Sequence, residues 1–346
     1  MADKKWYEKT GPSADVVCST RVRLARNLTG IPFPGRATPE QKEKAARQVR
    51  DALINGNSVI SKEFRFVPMD ELTDQAAVAM LERRLVSPAF LSDRQGKAVL
   101  ATKDESFSIM INEEDHVRIQ VLLEGLALKE AAETADRIDT LLSENLNFAF
   151  DKDFGYLTQC PTNLGTGMRA SLMLHLPCLS ESGAMPRIAA NLSKLGLTLR
   201  GAFGEGSRAV GDMFQLSNQI TLGLSENQAI ENLSAIAGQL MEEERKLRKE
   251  LSESLVWQDK IARAAGALKT ARLLSSGEAD QLLSLVRLGV CQGLLQGMEP
   301  GEISGLAVKM QPATLMAEAG KELSETERDR ARADLLRTAL HPLHVE

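Results

Sequence analysis

The stretch "FSIMINEEDHVRIQVLL", residues 107–123, sets a charged turn between two strands. The apolar runs "FSIMIN" and "VRIQVLL" have the composition of buried strands. Between and beside them stand Asn112, Glu113, Glu114, Asp115, His116 and Arg118. Three consecutive carboxylates are costly between segments that favour burial. Such a run is expected to hold something cationic.

Outward from this turn, strand and helix signals alternate. "VVCSTRVRLARNL" (16–28) alternates apolar with polar residues and reads as a strand. "KAVLAT", "LTLRGAF" and "FQLSNQITLG" read as further strands. "TPEQKEKAARQVRDALI" (38–54) begins with Thr38 as N-cap, Pro39 at the first helical position and Gln41 closing a capping box. "ALKEAAETADRIDTLLSENL" is an amphipathic helix. Near residue 225 the texture changes. Ser225 and Gln228 form another capping box, and helical periodicity continues to the end without a convincing strand. Breaks fall at "SSGEAD", "GMEPGE" and "KMQPAT", and the last helix starts at Ser324, boxed by Glu327. The pattern predicts a mixed domain, α/β or α+β, over residues 1–225, followed by an all-helical domain over 226–346.

The chain has 346 residues and a net charge of −5, enough length for two domains and too acidic a balance for a broad nucleic-acid surface. No apolar run approaches the roughly 20 residues that a membrane span needs. Cys18, Cys160, Cys178 and Cys291 are widely spaced, and His116, His175, His341 and His344 form no HxxxH pair. A structural metal site is therefore not expected. With no apolar leader at residue 1, a cytoplasmic location is expected.

One motif invites a nucleotide reading. "GEGSRA" (204–209) fits GxGxxA after a strand, but the following segment returns to strand character where a dinucleotide fold needs a full helix. No GxxxxGK[ST] occurs, which excludes a P-loop. The arginines say more. Arg21 and Arg23 are two apart and share one face of a strand. Arg118 follows the acidic run, Arg169 ends "CPTNLGTGMR" and Arg200 ends "LTLR". Most arginines are solvated surface charge. These five sit in or beside apolar segments, where an unpaired charge is expensive. Converging from separate strands, they would form a phosphate cage, because the guanidinium fork matches phosphate oxygens and stays charged. "CPTNLGTGMR" itself suits a tight loop around a ligand, and Cys160 ahead of Pro161 is a candidate reactive thiol.

"NEEDHVR", "CPTNLGTGMR" and "RGAFGEGS" resemble the three signature blocks of the phosphagen (guanidino) kinases, and "STRVRLAR" is similar to that family's arginine strand. Within the superfamily the chain looks most like the McsB-type bacterial protein arginine kinases. It starts almost at the arginine strand, without the helical N-terminal domain of kinases for free arginine or creatine. Its helical end carries "RDRARA" (328–333), similar to the RDxxRA pattern of that group. The resemblance implies an antiparallel sheet flanked by helices, thus α+β, and a helical domain with phosphoarginine-binding and dimerisation roles. It implies Glu114 and Glu205 as the carboxylates that hold the target guanidinium, with Glu114 taking its proton, and Cys160 as the thiolate beside it. Arg21, Arg23, Arg118, Arg169 and Arg200 are implied to hold the phosphates of ATP, with Mg²⁺ bound through the nucleotide. Arg328 and Asp329 are implied to bind phosphoarginine. One departure is visible. Where creatine and free-arginine kinases have a histidine four residues after the loop's arginine, this chain has Met173, with His175 two residues beyond.

The function expected is therefore transfer of the ATP γ-phosphoryl group to arginines of proteins, basic proteins such as repressors among them. The resemblance further implies an activator protein, delivery of marked proteins to a Clp protease under stress, and a homodimer. Two alternatives stand beside it: a kinase for a free guanidino compound, and a phosphoarginine-binding adaptor with a dead kinase site.

Overall fold

The computed structural model describes residues 4–55, 60–202 and 209–345. Eight strands form one sheet in the order β2 (Phe64–Pro68), β3 (Ala98–Thr102), β4 (Phe107–Ile111), β5 (Val117–Glu124), β1 (Val17–Arg26), β8 (Met168–His175), β10 (Met213–Asn218), β9 (Leu197–Gly201). Every neighbouring pair is antiparallel. The strand expected at 16–28 thus lies near the centre, and the charged turn at 112–116 closes the β4–β5 hairpin.

The period of two along each strand separates two faces. Val22 and Leu24 of β1, Val117, Ile119 and Val121 of β5, Met168, Ala170 and Leu172 of β8, and Leu197 and Leu199 of β9 join the main core. Helices α1 (Pro39–Ile54), α3 (Leu128–Ser143), α5 (Met185–Lys194) and α6 (Glu226–Ser252) cover that face and contribute to the same core. The capping boxes expected at Thr38–Gln41 and Ser225–Gln228 are formed. Arg26 points to this apolar side, yet it is not orphaned. It pairs with Asp139 of α3 at 2.8 Å and lies over the Tyr156 ring at 3.4 Å. Tyr156 belongs to a small hairpin of β6 (Phe150–Asp151) and β7 (Gly155–Tyr156).

The opposite face carries the alternate residues. At the β3–β4 end, α2 (Asp74–Glu82) and its flanks cover it through Met69, Met80, Phe90 and Met110. Beyond the sheet, α7 (Leu255–Thr270), α8 (Ser276–Cys291), α9 (Pro300–Lys309) and α11 (Glu325–Ala339) build a second core. Short α4 (Pro177–Glu181) sends Leu179 to the first core and Cys178 to the second, and α10 (Pro312–Ala319) packs on α2. The Glu82 carboxylate caps α10, accepting from Ala313 N at 2.9 Å and Thr314 N at 2.7 Å.

Sheet content ends near residue 218, as the change of texture suggested, but the first core does not. Ala229, Leu233, Ala237 and Leu240 of α6 are buried under the sheet. A helix that begins at Ser225 serves the sheet domain before it reaches the helical one. In the region expected to be purely helical, β11 (Leu295–Gln296) pairs with β12 (His344–Val345). Among the described residues no helix is long and apolar enough to cross a membrane.

Candidate active site

The turn after β4 is built by side chains that leave the ligand to others. Asn112 has φ 60°, a left-handed conformation that asparagine tolerates. Its N–H donates to His116 O at 3.0 Å, and its Nδ2 donates to Lys42 O and Gly96 O, both at 2.7 Å. His116 Nδ1 accepts from Leu28 N at 3.1 Å, so Nε2 carries the hydrogen that meets Pro32 O at 3.0 Å. Burial lowers the His116 pKa to about 4 and keeps the ring neutral. Asp115 accepts from Asn27 Nδ2 at 2.6 Å and from Gln159 N at 2.8 Å, while burial raises its pKa. These two residues tie the turn to segments 27–32 and 157–159.

Glu113 and Glu114 then diverge. The Glu113 side chain is 4% exposed and is taken up by Arg118 and the Ser87 hydroxyl. The Glu114 side chain is 36% exposed, with Asn163 Nδ2 at 3.4 Å and Arg118 Nη2 at 3.9 Å. Among the described residues, Glu114 is thus the member of the acidic run with acceptor capacity left for a ligand.

Arginines gather on the uncovered face. Arg23 of β1 stands directly opposite Arg169 of β8, and Arg200 of β9 is opposite Gln215 of β10. Like charges placed opposite each other across strands are destabilising. Arg21 Nε donates to Ser171 Oγ at 3.3 Å and its Nη2 to Gln215 Oε1 at 3.1 Å. Burial first, then the charges of Arg84 and Arg118, lower the Arg21 pKa to about 10. Arg23 is lowered further, by burial and by Arg21, Arg118 and Arg169, and its buried Nε has no hydrogen-bond partner among the described residues. Arg21, Arg23, Arg84, Arg169 and Arg200 line one cleft of about 600 Å³. Arg118 joins the cluster electrostatically. The pattern-based reading missed Arg84, Gln215 and Ser171. Arg84 follows a short helix, and β8 lies within a segment read only as a loop and its end.

The segment 157–167 brings the thiol to this cluster. Pro161–Asn163 form one turn of 3-10 helix. The Thr162 hydroxyl accepts from Arg169 Nη2 at 2.9 Å and lies 3.0 Å from Cys160 Sγ. Asn163 Oδ1 accepts from Arg169 Nε at 3.0 Å while its Nδ2 faces Glu114. One chain of contacts therefore runs from Cys160 through Thr162, Arg169 and Asn163 to Glu114. Gly165, at φ 103°, permits the tight path. A Cβ there would lie 2.3 Å from Thr221 O, and Thr166 N donates to that oxygen at 3.1 Å.

Not every expected residue is placed here. Glu205 lies outside the described residues. Arg328 and Asp329 sit on α11, whose Ser324–Glu327 box is formed. Arg328 Nη1 donates to Leu323 O at 2.8 Å, and Asp329 Oδ1 accepts from Arg332 Nη1 at 2.7 Å. Arg332, one helical turn after Arg328, is buried and donates to Met310 O and Leu274 O. Met173 lines the cleft, whereas His175 is buried beyond it among Arg287, Arg248 and Ser284.

Comparison with known proteins agrees with this geometry. Residues 44–247 match the family described as ATP:guanido phosphotransferase, C-terminal catalytic domain. Residues 254–346 match the protein-arginine kinase McsB C-terminal domain. A protein-arginine kinase of Halothermothrix orenii is 44% identical over 338 residues, covering 97% of this chain and 96% of its own. One of Moorella thermoacetica is 45% identical, covering 98% and 97%. A lombricine kinase structure shares the fold with a TM-score of 0.60, 24% identity and coverage of 70% of this chain and 71% of its own. The duplicated taurocyamine kinase of Schistosoma mansoni, with transition-state analog components bound, aligns at TM-score 0.62 and 25% identity over 74% of this chain and 39% of its own. On these matches, which span nearly its whole length, the chain belongs to the protein-arginine kinase family of the ATP:guanido phosphotransferases.

Proposed function

We propose that the protein transfers the γ-phosphoryl group of ATP to the guanidinium of arginine side chains in other proteins. The observation that carries this reading is the arginine cluster in the cleft, with Arg23 opposed to Arg169 and its buried Nε without a hydrogen-bond partner among the described residues. Such a cluster is compensated by a polyanion and by little else. Arg21, Arg23, Arg118, Arg169 and Arg200 would grip the phosphates, and Gln215 and Ser171 orient Arg21. The cationic cleft fits a nucleotide triphosphate, and Mg²⁺ would be held through those phosphates. When bound, Mg²⁺ supplies further charge neutralisation of the transferring group.

The acceptor is a cation with a pKa above about 12 and is a poor nucleophile when free. Glu114, partly exposed beside Asn163 and Arg118, would orient the guanidinium in line with the γ-phosphorus, with Glu205 as the second carboxylate. As the N–P bond forms and the bond between the γ-phosphorus and the β–γ bridging oxygen breaks, the lost proton passes to Glu114 and ADP leaves. Asn163 ties Glu114 to Arg169, so acceptor and phosphate grips share one support. Cys160 would sit beside the guanidinium, with Thr162 as its hydrogen-bonding neighbour.

Relatives named protein-arginine kinases support protein-borne arginine as the acceptor. From the resemblance of its sequence motifs we further propose for this chain basic protein substrates such as repressors, an activator protein, delivery of marked proteins to a Clp protease in stress, a cytoplasmic location and a homodimer. Arg328 and Asp329 are proposed as an allosteric phosphoarginine site. Calorimetric titration of free phosphoarginine is expected to show binding to the wild type and not to Arg328→Ala; equal binding would remove the site. The division of labour proposed is a catalytic domain over 1–225 and a regulatory helical domain over 226–346, with α6 joining the two. The acceptor class is tested by supplying ATP with free arginine or with an arginine-containing protein and measuring ADP release. Release with the protein acceptor is expected, and release with free arginine alone would overturn the reading.

A further inference from the structure

The cleft that gathers the arginines changes character along its length. On β8, Arg169, Ser171 and Met173 share one face, and Arg169 and Met173 stand four residues apart, about 13 Å along the strand. Arg23 is opposite Arg169 and Arg21 opposite Ser171, while Ser19 and Gln215 flank Met173 from β1 and β10. Along β8 the face thus passes from a cation to a thioether. Asn163 joins the cationic end to Glu114. Beyond the other end, Met173 and Arg84 also line a cavity of about 70 Å³ between the two cores, whose walls include Leu283 and Ile303 of the helical part.

The proposed chemistry gives a nucleotide one direction in this cleft. The γ-phosphorus meets the guanidinium held by Glu114, so the phosphates start at the Arg23–Arg169 end and the base is carried towards Met173. A cleft of about 600 Å³ is of the size that takes such a ligand. The far end is closed by the helical part. Gln311, the residue before α10, lines both the cleft and the cavity beyond it, as Met173 does. The Glu82 carboxylate at the end of α2 holds α10 in place and lines the same two spaces.

The Gln311 side chain makes no cap hydrogen bond to its own helix. Its Nε2 donates to Ala307 O at 2.8 Å. The reverse amide orientation would set two carbonyl oxygens against each other, so Oε1 is the atom left over. Among the described residues that oxygen accepts no hydrogen bond, and the residue is half-buried. An acceptor with spare capacity therefore stands at the end of the cleft to which the base is carried.

We infer that Gln311, from the helical part, recognises the nucleotide base: its Oε1 accepts from the exocyclic amino group of adenine, with the Met173 thioether against the ring. Sulfur beside an aromatic ring is a favourable contact. Guanine carries a carbonyl oxygen where adenine carries the amino group, and that oxygen would face Oε1 without a hydrogen between them. Gln311 thus sets a preference for ATP over GTP. The match to the guanido phosphotransferase catalytic domain ends at residue 247, so this wall of the nucleotide site is one that the catalytic domain does not itself carry. The inference rests on ATP being the phosphoryl donor.

The test measures the Kd of Mg-nucleotides on the full-length protein without acceptor, for the wild type and Gln311→Ala. The probes are ATP, GTP, purine riboside triphosphate, which lacks the amino group, and inorganic tripolyphosphate. The wild type should bind ATP about three- to tenfold more tightly than the purine analogue, as one hydrogen bond gives, and GTP more weakly still. Gln311→Ala should bind ATP weaker by the same factor and no longer distinguish it from the analogue. Tripolyphosphate should bind both proteins equally, and kcat with a protein acceptor at saturating ATP should not change. Equal loss of ATP and analogue binding in Gln311→Ala would make Gln311 a packing residue of α10 and overturn the inference, as would a loss of tripolyphosphate binding. A wild type that binds ATP and the analogue alike would overturn it without any variant. A wild type that binds tripolyphosphate but neither uses nor binds ATP would instead remove the donor reading, and the inference with it.

Discussion

On the proposed reading, Arg23 is a side chain that a bound polyanion would compensate. Half-buried, facing Arg169 and with a buried Nε that has no hydrogen-bond partner among the described residues, it is expected to cost the nucleotide-free protein stability. Arg23→Met is therefore expected to raise the Tm of the nucleotide-free protein, by about 1–3 kcal/mol of stability. The same change should abolish the further rise that ATP gives the wild type through binding. Thermal scans with and without Mg-ATP decide it; a lower Tm without nucleotide would show the guanidinium to be well satisfied within the protein. Glu114→Gln should keep ATP binding and lose on the order of 10²–10⁴-fold in transfer rate, as measured by ADP release with a protein acceptor. Unchanged turnover would assign the proton to another group. Alkylation should fall on Cys160, half-buried beside Thr162, and be blocked by ATP with acceptor. Burial pushes Cys178 up to about 12 and raises Cys291 as well, which makes both poor thiolates. These residues were legible in the sequence because period-2 spacing places Arg21 and Arg23 on one face and because the acidic run had no bland explanation. Asn163 and Thr162 were visible only as loop residues, since their bonds to Arg169 depend on a one-turn helix that spacing does not announce.

The β4–β5 hairpin shows how an element supports the site. Asp115 and His116 fix the turn and Glu113 is taken up by Arg118 and Ser87, which leaves Glu114 as the more exposed carboxylate beside Asn163 and Arg118. His116 has a folded pKa near 4 against an ordinary 6.5. Between those values the unfolded chain binds more protons, so stability falls as pH drops through that window. His175 acts in the same direction. Replacing His116 by Gln should remove its share of this acid loss, on the order of 2–3 kcal/mol between pH 7 and 4, whatever its effect at pH 7. Urea unfolding of both proteins at the two pH values measures the difference, and identical slopes would mean that His116 is not held neutral. Strands β1, β3, β4, β5, β9 and β10 and helices α1 and α3 were legible, because alternation, capping boxes and amphipathic stripes all agreed there. Strands β2 and β8 and helices α2, α4 and α5 were not. The helices among them are short, and β8 is nearly all buried, so it lacks the polar alternation that marks a half-exposed strand.

Across the whole molecule polar groups help to join the two cores, beside Leu247, which packs against both. Arg287 of α8 donates to Ala14 O and, at 3.1 Å, to Asp15 O, while Arg248 of α6 donates to Asp15 O at 2.7 Å. Asp280 lies in the same junction, near Glu82, Arg84 and Arg287 in a shared cavity, and burial raises its pKa to about 6 against the pull of Arg332. A carboxylate raised in this way costs stability above its folded pKa and nothing below its unfolded one. Asp280→Asn should therefore stabilise the protein at pH 8 by on the order of 1 kcal/mol and have no such effect at pH 4, read from Tm at both values. A gain at both, or a loss at pH 8, would contradict it. The junction was invisible in the sequence, because Asp212 and Ser284, or Asp15 and Arg287, are joined by no local pattern. The change of texture near 225 falls just after the last strand of the eight-stranded sheet, but α6 belongs in part to the first core, which such a change cannot reveal. The most direct test of the central claim is mass-spectrometric mapping of phosphate on a protein acceptor after incubation with Mg-ATP, under neutral conditions that preserve N–P bonds. Phosphoryl groups on arginine side chains with the wild type, and none with Glu114→Gln, are the result predicted; phosphate found only on hydroxyl residues, or arginine phosphate made equally by Glu114→Gln, would contradict it.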